Sequence, residues 1–316
     1  MKRVCLFAGY NNKETVEDYV FAYLKELSKF ADIYYLCDGP LGSAEQIKLL
    51  KYVKSCEGVR HESYDFGSWA NLIKKIGWEK IEEYDELLLV NDSCYAGHIP
   101  FDNMFNEMVS KNLDAWGVAE NYFLMSFFVN INKNVFSSAE FKAFFSNIKK
   151  ETDKSLIILK YEKGLTNILK NYKIDSYFKK TLDNSRRIIL EKEVKKIIKD
   201  ELSFFKRPFC RIKYKKIDLF SDRAIVPFLL GFPFIKRRYF TERKNLLKSF
   251  MANKIKEVVS ISNDSYLFND FQKEKPIYFK FIDFIKKIYL YKYYKGDVLV
   301  TRVLGIKFYC NKNKLD

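Results

Sequence analysis

The first ninety residues alternate between apolar runs and amphipathic segments, and this alternation limits the possible folds more than any other feature of the chain. Apolar, β-branched or aromatic runs typical of buried strands occupy residues 3–10, 31–39 and 86–90. Segments with apolar residues at helical spacing occupy residues 14–30, 43–56 and 64–84, and Ser43 is the expected N-cap of the second. The alternation predicts an α/β fold in which helices cover both faces of a mostly parallel sheet.

Small polar clusters follow the ends of these strands. The clusters are Tyr10-Asn11-Asn12, Asp38-Gly39 and Asn91-Asp92-Ser93. Because ligands of parallel sheets bind beyond the carboxyl ends of the strands, we expect the three clusters to converge on one crevice. The alternative is that Asn, Asp and Ser are present as ordinary turn residues.

The cysteines and the hydropathy pattern limit the cellular setting. Six cysteines are scattered without a CxxC pair, which indicates reduced thiols in a cytosolic setting and argues against disulfides or a zinc site. The apolar run at residues 4–8 is too short for a signal peptide, and no window holds about 18 uninterrupted apolar residues. We therefore expect a soluble or peripheral protein.

Several other enzyme classes lack their motifs here. His61 and His98 are the only histidines, and the sequence places neither beside a nucleophile, which argues against Ser-His-Asp and Cys-His hydrolases. Loops of the GxxxxGK[ST] and strand-linked GxGxxG types are absent from the sequence, which disfavours kinases, NTPases and Rossmann dehydrogenases.

The charge is divided unevenly along a chain whose net charge is +16. Residues 1–130 carry 13 Lys and Arg against 20 Asp and Glu, whereas residues 131–316 carry 43 against 20. Residues 277–316 interleave Phe, Tyr and Ile with lysines, a basic amphipathic pattern that suits docking on an anionic membrane surface. Such a pattern also suits single-stranded nucleic acid, but no recognised RNA or DNA module accompanies it, and we expect no nucleic-acid partner.

Six segments of the chain resemble, in order, the rhamnan synthesis protein F family of bacterial glycosyltransferases, which act in surface-polysaccharide assembly. The segments are YDFGSWANLIKKI, YDELLLVNDSCYAG, LDAWGVAEN, SFFVNI, YEKGLTNIL and GFPFIKRRYF. The resemblance extends over roughly residues 1–240 and implies a GT-A-like fold that binds a nucleotide sugar.

The resemblance implies a donor site at the predicted crevice. Tyr10 is placed to stack on the base, and Asp38 to hydrogen-bond the base or the ribose. Asp65 and Gly67 resemble the polar-then-glycine turn that brings backbone close to the nucleotide in GT-A enzymes. The other candidate donor-binding residues are Asn11, Tyr64, Asn71, Asn91, Ser93, Lys236 and Arg237. For Tyr64, Phe66 and Trp69 the alternative is ordinary core packing.

The cluster Asn91-Asp92-Ser93 would occupy the position of the GT-A Asp-x-Asp motif, in which two carboxylates hold a divalent ion on the diphosphate. Asp92 is the only acid of the three residues in this chain. Two alternatives stay open for it. Asp92 helps to hold Mg²⁺ or Mn²⁺, or it accepts a hydrogen bond from a sugar hydroxyl with no metal present.

Glycosyl transfer to a hydroxyl needs a base, and an inverting enzyme uses one carboxylate for this. Glu162, which precedes an amphipathic segment, is the first candidate, and Glu120, which follows a short apolar run, is the second. For Glu162 the alternative is a carboxylate that favours the positive end of a helix. The family pattern has His and Gln just before the SFF segment, where this chain has Leu124 and Met125, so the acceptor side departs from the pattern.

Three cations follow the apolar run of the last matching segment. Lys236, Arg237 and Arg238 are candidates to meet the donor diphosphate or the phosphate of a lipid-linked acceptor. The alternative is a buried strand followed by a solvated basic turn.

These observations predict a glycosyltransferase domain over residues 1–250 and a basic C-terminal region over residues 251–316. The expected reaction moves a sugar from a nucleotide-sugar donor, with inversion, to a glycan or lipid-linked glycan of the capsule, O-antigen or rhamnan type. Its expected place is the inner face of the cytoplasmic membrane. One alternative is a non-catalytic nucleotide-sugar or glycan-binding protein derived from a transferase, which the missing second carboxylate supports. The other is a basic nucleic-acid-binding protein, which rests on charge alone.

Overall fold

A seven-stranded sheet forms the centre of the computed structural model, which describes residues 1–96, 99–120, 124–151, 153–178 and 232–237 and three C-terminal strands within residues 292–311. The strands of the sheet are β1 (Arg3–Tyr10), β2 (Asp32–Asp38), β3 (Ser55–Gly58), β4 (Glu86–Asn91), β6 (Ala115–Ala119), β7 (Phe128–Asn132) and β8 (Ile174–Phe178). Their order is β3-β2-β1-β4-β7-β6-β8. Only β7 pairs antiparallel with its neighbours in this sheet, so the predicted mostly parallel sheet is confirmed.

Helices cover both faces of this sheet, as the alternating sequence predicts. They are α1 (Asp18–Leu27), α2 (Ser43–Leu49), α3 (Tyr64–Ile76), α4 (Trp78–Ile81), α5 (Asp102–Ser110), α6 (Lys133–Phe136), α7 (Ala139–Ser146), α8 (Lys154–Ile157) and α9 (Lys163–Leu169), with a π-helical turn at Ile158–Glu162. The apolar sides of α1 and α5 pack with one layer of the core, and those of α3, α7 and α9 pack with the other. Residues that alternate along each buried strand supply both layers, which is why the strands read as continuous apolar runs.

The prediction of a single helix over residues 43–56 is wrong for the second half of that segment. The helix α2 ends at Leu49, and Ser55–Gly58 is the edge strand β3, which pairs with β2. Leu49 and Val53 are buried although the helix ends at Leu49, so their apolar spacing did not reveal the helix end. The strand β3 is too short and too exposed to show an alternating pattern. The N-cap is Gly42, and Ser43 is the first helical residue.

The segment predicted as largely helical over residues 64–84 is broken once. Gly77 has φ +83° and separates α3 from α4. This left-handed conformation ends helices at low cost only when the residue has no Cβ.

Two further sheets lie outside the main one. The strand β5 (Cys94–Ala96) pairs antiparallel with β9 (Phe234–Lys236), although the two lie far apart in the sequence. β10 (Lys292–Lys295), β11 (Val298–Val303) and β12 (Ile306–Asn311) form an antiparallel meander in the predicted basic C-terminal region. The predicted domain boundary at residue 250 lies outside the described residues. No helix among the described residues is long and apolar enough to cross a bilayer.

Candidate functional site

The order of the strands defines where a ligand is expected. The chain runs from β1 to β2 and β3 in one direction across the sheet, and β4 then pairs on the other side of β1. Such a reversal opens a crevice beyond the carboxyl ends of the two strands at the switch point, here β1 and β4. Tyr10 ends β1 and Asn91 ends β4, so two of the predicted polar clusters lie at this point.

Asp92 is the buried acid of the crevice, with 8% of its surface exposed. Its carboxylate accepts a hydrogen bond from the Tyr10 backbone N–H over 2.9 Å. Its own N–H donates to the Ala8 carbonyl over 3.2 Å, and its carbonyl accepts from the Tyr19 hydroxyl over 3.0 Å. Burial raises the pKa of Asp92 to about 6, although the Tyr10 N–H and the charge of Arg237 lower it. The sheet therefore holds Asp92 firmly in a place where its charged form is costly.

Asp38, at the end of β2, is buried and holds the segment that follows β3. One carboxylate oxygen accepts from the N–H groups of His61 and Glu62 over 3.0 and 3.2 Å. The Arg60 guanidinium donates to the Asp38 carbonyl over 2.7 Å and lies 3.5 Å from the same carboxylate. The structure thus shows that Asp38 positions Arg60. The contact of Asp38 with a base or a ribose stays a prediction.

Arg60 connects the ends of three strands, and it was not identified as a candidate site residue from the sequence. Besides Asp38, it donates to the Asn11 carbonyl over 2.7 Å and to the Asn12 side chain over 3.3 Å. Its guanidinium lies 5.4 Å from the centre of the Tyr10 ring, which is 57% exposed. The sequence did contain a signal for this role, because Arg60 comes two residues after β3 and therefore lies at the same edge of the sheet as the other strand ends. That signal could be used only if β3 was first recognised as a strand.

Asp65 joins the crevice from the first turn of α3. The Asn91 side-chain amide donates to the Asp65 carboxylate, and the Asn91 oxygen accepts from the Ser93 N–H over 3.1 Å. Just before Asp65, Glu62 and Tyr64 have φ values of +53° and +55°. Left-handed conformations at non-glycine residues are uncommon and concentrate at functional sites. The Tyr64 ring is exposed there, so the core-packing alternative is wrong for it.

The remaining candidates on α3 lie away from the crevice or inside the protein. Phe66 and Trp69 are buried, and the core-packing alternative is correct for both. Gly67 lies within α3 rather than in a turn, so the predicted turn is wrong. A Cβ on Gly67 would meet the Ser63 Cβ at 2.3 Å, which shows that the glycine lets the preceding loop pack on the helix. Asn71 is the sixth residue after Asp65 on α3, and it is exposed.

His61 does lie beside a hydroxyl, contrary to the sequence-based expectation. Its Nε2 is 2.9 Å from Ser68 Oγ, and its Nδ1 accepts from the Ser63 N–H over 3.1 Å. Burial lowers the pKa of His61, so the ring is neutral with its proton on Nε2. Because Ser68 is 1% exposed, the pair has no access to a substrate and is structural. His98 lies outside the described residues.

The strand β9 carries two cations to the crevice. Lys236 Nζ donates to Ser93 Oγ over 2.7 Å, and the Arg237 N–H donates to the Ser93 carbonyl over 3.1 Å. The Arg237 guanidinium lies 4.6 Å from the centre of the Tyr19 ring. The alternative of a solvated basic turn is therefore wrong for these two residues, and Arg238 lies outside the described residues.

The two candidate bases lie on different elements. Glu162 is the last residue of the π-helical turn. Because α8, this turn and α9 follow one another without a break, Glu162 does not lie at the start of a helix, and the alternative of a carboxylate at the positive end of a helix is wrong. Its neighbour Tyr161 packs on Phe66, which follows Asp65, with 5.6 Å between the ring centres. Glu120 follows β6, which runs parallel to β4, so it lies at the same edge of the sheet two strands from Asn91. Glu120 thus lies at the edge of the sheet where the crevice opens, Glu162 lies next to a residue that packs on α3, and the role of either as a base stays a prediction.

Comparisons with known proteins were made against families, curated proteins and solved structures. The model of the family described as rhamnan synthesis protein F matches residues 33–266. No curated protein matches the sequence significantly. Among solved structures, molybdopterin-guanine dinucleotide biosynthesis protein A from Archaeoglobus fulgidus is 12% identical, with 64% of this chain and 90% of that chain covered and a TM-score of 0.28.

Proposed function

Because the family match covers well over half of the sequence, the chain belongs to the rhamnan synthesis protein F family, and from this premise we propose that it is a glycosyltransferase. The proposed reaction moves a sugar from a nucleotide-sugar donor to a growing cell-surface polysaccharide. The family places the chain in polysaccharide synthesis, and the proposal adds the reaction type and the site.

The observation that carries this proposal is the convergence of four strand ends on one crevice. Tyr10 ends β1, Asp38 ends β2 and Asp92 follows β4. Arg60 follows β3 and contacts the ends of β1 and β2. A nucleotide sugar needs an aromatic face for its base, acceptors for its hydroxyl groups and positive charge for its diphosphate. The exposed ring of Tyr10 supplies the first, and the side chains around Asn91 supply the second.

The proposed base for the acceptor hydroxyl is Glu162. Its π-helical turn supports this role, because such turns occur frequently at functional sites, where they displace a side chain from the regular helical position. In an inverting reaction the acceptor attacks from the face opposite the leaving nucleotide, and one carboxylate takes its proton. Glu120 is the second candidate for this role.

The direct test is turnover of a panel of nucleotide sugars with nucleoside diphosphates of uracil, guanine and thymine. Release of the free nucleoside diphosphate from one donor, and not from the others, supports the proposal. If none of the donors is turned over and no nucleoside diphosphate binds, the proposal is wrong.

A second candidate function is nucleotide-sugar binding without transfer. The observation in its favour is that the cluster which the resemblance aligns with the GT-A motif begins with Asn91 instead of a carboxylate, and that the Asn91 amide donates to Asp65. Tight binding of a donor with no release of its nucleoside diphosphate, in the presence of acceptor glycans, would select this candidate.

We further propose an acceptor that is a glycan or a lipid-linked glycan, and a location at the inner face of the cytoplasmic membrane. The support is the strongly basic second half of the chain, because anionic leaflets attract lysine-rich segments.

A further inference from the structure

We propose that Lys236 and Arg237 neutralise the diphosphate of the donor in this protein, in the place where GT-A-like transferases hold a divalent metal ion. This inference rests on the proposed transferase function. It resolves the two alternatives for Asp92 in favour of a site that works without a metal.

The position of the two cations is fixed by a buried strand. Phe234 and Ile235 of β9 are buried, and the Phe234 ring stacks on Phe101 with 5.2 Å between the ring centres. β9 pairs with β5 in a register that sets Lys236 opposite Cys94, the residue after Ser93. A strand anchored in the core presents its terminal charges in a defined geometry, as a binding site requires.

The side chains of both cations point towards the Asn91-Asp92-Ser93 cluster. Lys236 Nζ is 2.7 Å from Ser93 Oγ and 4.0 Å from the centre of the Phe127 ring. Arg237 lies over Tyr19, whose hydroxyl donates to the Asp92 carbonyl, and the charge of Arg237 reaches the Asp92 carboxylate. Lys236 and Arg237 bring two positive charges to a cluster that holds the carboxylates of Asp92 and Asp65, so a diphosphate would meet cations where the acids alone would repel it.

The same cluster is poorly built for a divalent cation. The Asp92 carboxylate accepts the Tyr10 N–H, the Asn91 oxygen accepts the Ser93 N–H, and the Ser93 hydroxyl accepts from Lys236. A divalent ion would have to share these oxygens with protein donors, Asp92 is the only carboxylate among the three residues, and two adjacent cations repel Mg²⁺. Within the part of the chain that the structure describes, no group of three His, Cys, Asp or Glu side chains could hold a metal ion.

The chemistry that this arrangement supplies is the stabilisation of a leaving group. As the bond from the sugar to the diphosphate breaks, negative charge grows on the phosphate oxygens. Lys and Arg clamps stabilise such charge without moving, and an arginine can hold two phosphate oxygens at once. Lys236 would give up its contact with Ser93 for a stronger one to phosphate, because bonds between two ionised groups are the strongest of their kind.

The first arm of the test uses the unmodified protein stripped of metal with EDTA. Binding of UDP, GDP and dTDP is measured by calorimetry in EDTA and again, without EDTA, with an excess of Mg²⁺ or Mn²⁺. We expect affinities in EDTA within about twofold of those with metal, and donor turnover likewise, because the charges that hold phosphate belong to the protein. Binding or turnover that appears only with metal overturns the inference and leaves the transferase proposal standing. If no nucleoside diphosphate binds under either condition, both fail.

The second arm tests the two side chains. Lys236→Gln and Arg237→Gln should each weaken binding of the nucleoside diphosphate by about tenfold to a hundredfold, as expected for a lost charged hydrogen bond. Binding of the matching nucleoside monophosphate should change far less, because it lacks the phosphate next to the sugar. Lys236→Arg keeps the charge and should retain most of the affinity. Lys170→Gln, at the exposed C-cap of α9, is the matched control for charge. An equal loss for monophosphate and diphosphate would overturn the assignment.

Discussion

Asp92 lies in an environment that opposes its charge. Burial raises its pKa to about 6 despite the neighbouring Arg237 and the N–H of Tyr10. Groups whose ionisation is made costly by the folded protein concentrate at functional sites, where stability has been given up for activity.

The raised pKa predicts how Asp92→Asn changes stability with pH. Below about pH 3 the carboxyl is protonated in both the folded and the unfolded chain, and at pH 4 only about half of the unfolded chains have ionised it, so the substitution has little effect there. Above pH 6 the folded protein must ionise a buried group, which costs up to about 3 kcal/mol, and the amide removes this cost. We therefore expect Asp92→Asn to be more stable than the natural protein at pH 7.5 and similar at pH 4.

Urea unfolding at the two pH values measures this difference. Glu79→Gln, on an exposed position of α4, is the control and should shift stability little at either pH. A stability difference for Asp92→Asn that is the same at pH 4 and pH 7.5 would contradict the pKa argument.

The proposed base gives a second prediction at this scale. Glu162→Gln should lower the rate of donor turnover about 100-fold or more, because the acceptor hydroxyl loses its proton acceptor. Affinity for the nucleoside diphosphate should stay the same, since the donor crevice is built by other residues. The same measurements on Glu120→Gln distinguish the two candidates, and a large loss there with an active Glu162→Gln would transfer the role to Glu120.

The elements that build the crevice differ in how far the sequence predicts them. The strands β1, β2 and β4 are long, buried and end in polar residues, so their pattern predicts both the sheet and the position of Tyr10, Asp38 and Asp92 at one edge of it. The strand β3 has four residues of intermediate burial, and its pattern cannot be distinguished from the end of a helix. Arg60 and its contacts were missed for that reason.

The pairing of β5 with β9 could not be predicted either. Each strand has three residues, and the contact between Lys236 and Ser93 joins positions 143 residues apart. Local pattern carries no information on such a pairing, because the free energy comes from burial of Phe234 and Ile235 against residues of distant segments. The resemblance to the family pointed to the cations, and only the fold shows that they reach Asp92.

The loop that carries Arg60 should depend on the absence of a side chain at Gly67. In Gly67→Ala the new Cβ would meet the Ser63 Cβ at 2.3 Å and His61 Nδ1 at 3.0 Å, so the loop must move away from α3. We expect a loss of about 1–3 kcal/mol in stability. We also expect weaker binding of the nucleoside diphosphate, because Arg60 moves with the loop.

Gly77→Ala is the matched control for this prediction. Gly77 has φ +83° and open space around its Cα, so alanine there costs about 1–2 kcal/mol through backbone strain alone. Chemical denaturation and nucleotide calorimetry of both variants give the comparison. Nucleotide binding that survives Gly67→Ala as well as it survives Gly77→Ala would show that the loop does not shape the site.

On the scale of the whole molecule, the two halves of the chain carry opposite charge. The acidic first part, residues 1–130, contains β1–β6 and most of the crevice. The basic second part contributes β9 to that crevice and contains the antiparallel meander β10–β12. An anionic donor would be drawn to the few cations of the crevice, whereas an anionic surface would be drawn to the C-terminal half. This division links the proposed reaction to the proposed place in the cell.

The division predicts that residues 277–316 hold the protein on anionic membranes. Each lysine close to such a surface contributes about 1 kcal/mol, and the attraction is screened as salt rises. We expect the full chain to sediment with liposomes that contain phosphatidylglycerol at low salt, to be released at about 0.5 M salt, where the Debye length falls to a few ångströms, and to ignore neutral phosphatidylcholine liposomes. A chain that ends at residue 276 should stay in solution while it still binds the nucleoside diphosphate, because the strands that form the crevice precede the deletion. Equal sedimentation with and without residues 277–316 would assign membrane attraction to another part of the basic half and remove the tail from the proposal.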